Sequence, residues 1–219
     1  LAMARGKHVY CQKPLVRTVW EAQQLQLAAA KYGVATQMGN QGYSNDGARE
    51  CAEIIWNGDI GNVTEVHAWT DRPGRYWPQS PEVEPKEAPV PAHLDWDAWL
   101  GSAPARPFSP AYAPHPWRGF PEFGCGAIGD MACHNLGTPN MAMRLSLTGP
   151  TSVECVKKEG VGKYCFPHQT VIRFDFPARG TMGPLKLFWY DSLKDMPKFD
   201  GIPAGQLIGD KDINGSLFI

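Results

Sequence analysis

The sequence predicts an α/β segment followed by a second unit, of α+β character, built on a mostly antiparallel sheet. Three observations carry this expectation. Strand-like and helix-like stretches alternate over residues 8–58, the pattern of a parallel sheet with crossover helices. From residue 60 onward, β-rich stretches recur at 63–70, 152–157, 170–176 and 185–190. Prolines concentrate between 72 and 121, which predicts long connections there in place of regular elements.

The elements follow in order. Residues 4–11 read as a helix end, a glycine turn and a short strand, closed by Pro14, which has no amide to give a ladder. Thr18 starts a helix, and Glu21 three residues later completes a capping box. Ala22, Leu25 and Ala29 supply its apolar face, and Gly33 stops it. Residues 34–38 form a second short strand that leads into Gly39, Asn40, Gln41 and Gly42. Ser44 is expected to cap the next helix, with Ala48, Cys51, Ala52 and Ile55 on one side and Gly58 at its end. Two strands make no stable sheet alone, and no earlier segment holds a phosphate loop, so the chain reads as a piece of something longer. Residues 63–70 alternate as a strand of a second sheet. The excursion 72–92 carries prolines at 73, 78, 81, 85, 89 and 91. Residues 94–100 form a short amphipathic helix closed by Gly101, and another proline-rich loop reaches Trp117 and Arg118. The end, 205–219, shows no closing element.

Composition narrows the partners. With 43% hydrophobic and 20% charged residues and a net charge of -1, the chain is globular. It has no basic run for nucleic acid or a membrane surface, and no apolar run of transmembrane length. Residues 1–8 lack signal-peptide organisation. The six cysteines (11, 51, 125, 133, 155, 165) form no C-x-x-C pair and read as buried free thiols. Cys125, Cys133 and His134 lack the paired spacing of zinc ligands, so no metal is expected.

The chain is organised around residues 124–145, a glycine-rich turn running into a helix that carries Asp130 and His134. At i and i+4 these share one helix face. A carboxylate there can fix the imidazole tautomer and raise its basicity, which makes a general-base site. An aspartate near a helix start plus a structural histidine fits the same spacing, so both readings stay open. Residues 124–129 fit G-x-G-x-x-G, but that fingerprint must close a buried strand and be followed about 20 residues on by an acidic residue. Residues 117–123, W-R-G-F-P-E-F, form no such strand, and Glu154 lies too far downstream. The loop is therefore expected to line a substrate pocket. Trp117 and Arg118, on the approach, suit substrate contacts, since tryptophan faces stack on sugars; an aromatic loop covering core surface is equally common.

Residues 9–15, V-Y-C-Q-K-P-L, taken with 129–134, G-D-M-A-C-H, resemble the Gfo/Idh/MocA oxidoreductases, the glucose–fructose oxidoreductase and inositol dehydrogenase group. Residues 35–41, 66–73 and 96–101 resemble one bacterial branch of it. The resemblance covers nearly the whole chain. It implies that 1–59 is the last part of an NAD(P)-binding Rossmann domain and 60–219 the first part of an open, mostly antiparallel substrate and oligomerisation domain. The family's E-K-P motif reads Gln12, Lys13, Pro14 here, with an amide in place of the glutamate. Its D-x-G-x-H-x-x-D motif reads Asp130, Ala132, His134, Gly137, so Asp130 and His134 match while the glycine and the last aspartate do not.

By the same resemblance the cofactor is NAD or NADP, contacted by Gln12, Lys13, Pro14, Asn40 and Gln41. For Asn40 and Gln41, plain turn chemistry remains the alternative. The substrate is a sugar, cyclitol or related polyol, bound by Trp117, Arg118, Asp130 and His134. His134 is the base, Asp130 orients it, and Lys13 stabilises developing alkoxide; a solvated lysine at a strand end is the plain alternative for Lys13. An NAD-retaining glycosidase or lyase and a non-catalytic sugar-binding relative are the competing readings. The whole protein is expected to be a homo-oligomer, cytoplasmic or periplasmic. The 219 residues alone are expected to bind NAD poorly, for want of the phosphate loop.

Overall fold

The computed structural model describes residues 1–77, 79, 84–160, 162–203, 208 and 214–219. The first layer is small. Strands β1 (Val9–Gln12) and β2 (Thr36–Gly39) pair in parallel, Val9 opposite Thr36 and Gln12 opposite Gly39. Helix α1 (Val19–Tyr32) crosses between them. Its capping box is formed as expected: Thr18 accepts from the Glu21 amide, and the Glu21 carboxylate accepts from the Thr18 amide at 2.9 Å. Gly33 closes the helix in the left-handed conformation, with φ 59. A 3-10 turn, Gln41–Ser44, leads to α2 (Asp46–Asn57). Ser44 does not cap α2. It is consumed by the 3-10 turn, and Asn45 takes the N-cap position with no side-chain bond to the helix.

The second sheet has five strands in the order β4-β5-β6-β3-β7. These are β3 (Glu65–Trp69), β4 (Ser152–Glu159), β5 (Gln169–Phe176), β6 (Leu185–Tyr190) and β7 (Gly215–Phe218). Three of the four pairings are antiparallel and β3–β6 is parallel, so the sheet is mostly antiparallel as expected. A register shift between Cys155 and Lys157 marks a bulge in β4. Strand β7 corrects the expectation of an end without a closing element. Gly215–Phe218 is too short to declare itself, and becomes a strand by laddering onto buried β3, Val66 opposite Phe218. Residues 205–207 and 209–213 of that expected tail lie outside the described residues, as do Pro78 and Pro81 of the excursion.

Strand alternation sorts the two faces. Val66 and Ala68 of β3, with Leu185, Leu187 and Trp189 of β6, face the helices; Trp69 and Tyr190 face the other side with Val171. Helices α4 (Gly126–Asn135) and α5 (Gly137–Ala142) pack against the helical side, whereas α3 (Trp96–Leu100) packs in a separate cluster. Ala52 and Ile55 of α2 pack into the same cluster as Val66, Leu187, Ala142 and Met143. The Trp56 indole donates to Ala142 O at 2.8 Å. Helix α3 anchors a separate aromatic cluster of Trp96, Phe108, Tyr112 and Phe120, which gives the proline-rich loop a core of its own. The cysteines are free, but Cys155 is exposed on edge strand β4 and only Cys165 is buried, because five of the six sit on half-covered elements. Among the described residues no helix is long and apolar enough to cross a membrane.

Candidate functional site

Parallel pairing of β1 and β2 brings both strands out at one edge, the carboxyl end, where open α/β sheets hold ligands. Lys13 leaves β1 there and Asn40 leaves β2. Both reach α4. The Lys13 ammonium lies 3.0 Å from Asp130 Oδ1 and donates to Asp130 O at 3.1 Å. The Asn40 side-chain amide donates to Cys133 O, one turn along. Two residues from strand ends therefore grip the turn of α4 that carries the aspartate and the histidine.

Asp130 is buried, and its Oδ1 also receives Arg118 Nε at 3.3 Å. Arg118 sits in the 3-10 turn Pro116–Gly119, its guanidinium 4.4 Å from the centre of the Trp117 ring. The carboxylate is thus held by two cations and makes no hydrogen bond with His134. This corrects the expected orienting role: α4 turns Asp130 toward Lys13 and Arg118, so it reaches His134 only through space. His134 itself is half-buried and makes no side-chain hydrogen bond among the described residues. Burial holds its imidazole below the usual 6.5, Lys13 pushes it further down, Asp130 opposes this, and Arg72 adds to the depression. It is a neutral imidazole at neutral pH, open to accept a proton.

Arg72 lies in the loop after β3, and at the end of that strand Trp69 O accepts from the Asn135 side-chain amide. The sequence reading passed over Arg72 and Asn135. The available signal was position, since Arg72 follows the carboxyl end of the strand expected at 63–70. Gln12 is exposed, its carboxamide lying over Gly39, where a Cβ would come within 2.4 Å of Gln12 Oε1. Gln41 is exposed and opens the 3-10 turn, and Pro14 is half-buried beside Lys13. The glycine loop, 124–129, does not line the cleft formed by Arg17, Trp20, Trp99 and Trp117. Its glycines serve internal packing: a Cβ on Gly124 would meet the Arg118 backbone at 2.5 Å, and one on Gly126 the Phe166 ring at 2.9 Å. A cleft of about 770 Å³ lies alongside, lined by Arg17, Trp20, Trp99, Trp117 and Phe123.

Residues 62–162, which contain the strand, the helix and both Asp130 and His134, match the family model described as "Oxidoreductase family, C-terminal alpha/beta domain" of the Gfo/Idh/MocA group. Over that span the chain matches the Gfo/Idh/MocA oxidoreductases. No curated protein matches it. Among solved structures it is similar to an NAD binding oxidoreductase from Klebsiella pneumoniae, at 20% identity and TM-score 0.50 over 86% of this chain and 42% of that one. It is similar also to an inositol dehydrogenase homolog complexed with NAD+ from Azotobacter vinelandii, at 16% identity and TM-score 0.51 over 89% of this chain and 41% of that one. These likenesses show the fold. The chain spans about two fifths of the length of each.

Within the matched span, Gly137 departs from the motif, and the structure gives the departure a physical setting. A Cβ on Gly137 would lie 3.0 Å from Tyr43 Cε2 and 3.3 Å from Cδ2. The Tyr43 hydroxyl accepts from Asn140 Nδ2 at 3.2 Å. The ring of Tyr43, from the turn after β2, occupies the space into which a side chain at 137 would grow. The edge of the first layer also carries a buried polar group with an unmet acceptor. Asn40 is buried, and its Oδ1 has no partner among the described residues.

Proposed function

We propose that the full-length protein is an NAD(P)-dependent dehydrogenase that moves a hydride between nicotinamide and a sugar, cyclitol or related polyol. The single observation that carries this reading is the pairing of Lys13 with Asp130, 3.0 Å apart, one helical turn from a neutral His134. Oxidising a carbinol removes a hydride from carbon and a proton from oxygen. Nicotinamide, when bound, supplies the hydride chemistry. Asn40, with its buried free acceptor, and Gln12, Lys13, Pro14 and Gln41 at the same strand edge would hold it.

The rest falls to this chain's side chains. His134 accepts the carbinol proton at the ring nitrogen facing the substrate. Its depressed basicity keeps it unprotonated and ready at neutral pH. The Lys13 ammonium stabilises the oxygen as negative charge develops, and polarises the carbonyl in the reverse direction. Asp130 is a positioning residue, since it fixes the ammonium while Arg118 braces the carboxylate from the other side. Trp117, its face covered by Arg118, borders the substrate approach.

Absorbance of reduced nicotinamide tests this, with full-length protein, NAD or NADP, and a panel of sugars and polyols. A rise that His134→Ala abolishes upholds the reading. Absence of a rise across the panel, with nucleotide released only on denaturation, would replace it with a closed-cycle lyase or glycosidase. Neither rise nor nucleotide would leave a sugar-binding protein without turnover.

A further inference from the structure

The charge around His134 is unbalanced. Lys13, Arg118 and Arg72 bring three cations to this end of α4, and among the described residues Asp130 is the carboxylate paired with them there. That carboxylate is already taken by Lys13 and Arg118. Asp71, the acidic neighbour of Arg72 in sequence, is paired instead with Arg75, 3.1 Å away. Among the described residues Arg72 has no ion pair, and its Nε is buried with no acceptor. A buried guanidinium N–H left unmet is costly, and an anion is its natural complement.

Arg72 is also held in place. Its amide donates to Thr70 Oγ1 at 3.3 Å, and its carbonyl accepts from the amides of Arg75 at 3.1 Å and Tyr76 at 2.9 Å. Its guanidinium lies 4.8 Å from the centre of the Tyr76 ring. The same loop continues into buried Trp77, which packs with Ala127 and Met131 of α4, and Tyr76 O meets His115 Nδ1 at 3.0 Å. The 72–77 loop and the 115–118 turn are thus tied to each other and to α4, and each carries an arginine, Arg72 and Arg118. A planar fork fixed in this way is suited to an anion with two or more oxygens.

We propose that the substrate carries an anionic substituent, a carboxylate or a phosphate ester on the sugar ring, and that Arg72 binds it. The inference rests on the site proposed above and names its substrate class. Arg72 acts there as a specificity residue: it selects the acid over the neutral sugar. Lys13 remains assigned to the reacting oxygen.

The test compares three probes on full-length protein: D-glucuronate, D-glucose 6-phosphate and D-glucose. Initial rates of nicotinamide reduction and direct calorimetric binding are both measured. At least one anionic probe is expected to exceed glucose by about 10- to 100-fold, the range of a charge-assisted bond. Arg72→Gln collapses that ratio to near unity, and Arg72→Lys retains part of it; which anion wins separates the sugar acid from the sugar phosphate. Glucose handled as well as both anions overturns the inference, as does a preference that survives Arg72→Gln. Loss of thermal stability in Arg72→Gln with the ratio unchanged also overturns it, by making Arg72 structural. Anion-selective binding without turnover upholds the inference and sinks the dehydrogenase reading. Turnover of neutral sugars alone does the reverse.

Discussion

Lys13 Nζ and Asp130 Oδ1 stand 3.0 Å apart, joining a strand end of the first layer to the second turn of α4. The pair is asymmetric: the lysine side chain is 21% exposed and the aspartate 5%. The ammonium therefore keeps one side open to a ligand while the carboxylate is spent on holding it.

Replacing Lys13 by alanine is expected to lower kcat by about 10²- to 10³-fold, the usual effect of deleting one donor to a developing oxyanion. Arg118 still meets Asp130, so the fold should persist, as a thermal melt would verify. Turnover within a few-fold of wild type would remove Lys13 from the chemistry.

The pH–rate profile reports on His134. Burial, Lys13 and Arg72 all hold the imidazole below 6.5, so the base is fully available by neutrality. Oxidation should rise on the acid side and be flat above about pH 7. Arg72→Gln removes one depressing charge and should move the acid limb upward. A limb that stays fixed would mean that another group sets it.

Asp191 gives the fold its own pH dependence. Its carboxyl accepts from the Trp189 indole and the Thr170 hydroxyl, yet burial raises it from 3.8 to about 6. The folded protein then holds this proton more tightly than the unfolded chain. Stability from this group is complete below about pH 4 and is lost as pH rises through about 6, by on the order of 3 kcal/mol. Asp191→Asn should flatten that fall. Urea midpoints between pH 4 and 7 measure it, and an unchanged slope would assign the dependence elsewhere.

Gly137→Asp would restore the family's carboxylate but drive a Cβ to 3.0 Å from the Tyr43 ring. Overpacking of this kind costs about 1–3 kcal/mol. Truncating Tyr43 to alanine should relieve part of the loss, so a double-mutant cycle should show coupling. Independent, additive effects would show that position 137 has room.

Much of this was legible in residues. The capping box at Thr18 and Glu21 and the strand periodicities in 152–190 are local signals, and local physics built what they predict. Rejection of the G-x-G-x-x-G run also follows from neighbours, since no strand precedes it. The ion pair was not legible. Nothing local tells Asp130 to turn from His134 toward Lys13, because that choice depends on where β1 ends in space. Arg72 was missed for the same reason, and Gly215–Phe218 becomes a strand only through β3. The chemistry of Gly137 waited on Tyr43, far earlier in the chain.

Helix α2 precedes residue 60, yet its apolar side is spent on the sheet that follows. Ala52 and Ile55 share a cluster with Val66, Leu187 and Met143. The two layers therefore do not exchange as cassettes. A recombination crossover at 59–60 would part Ile55 from the cluster it fills. One placed between Asn40 and Asp46 would keep α2 with its sheet, but leave Lys13 and Asn40 from one parent facing α4 from another. Hybrids of this lineage inherit a working site only when the strand ends and α4 travel together.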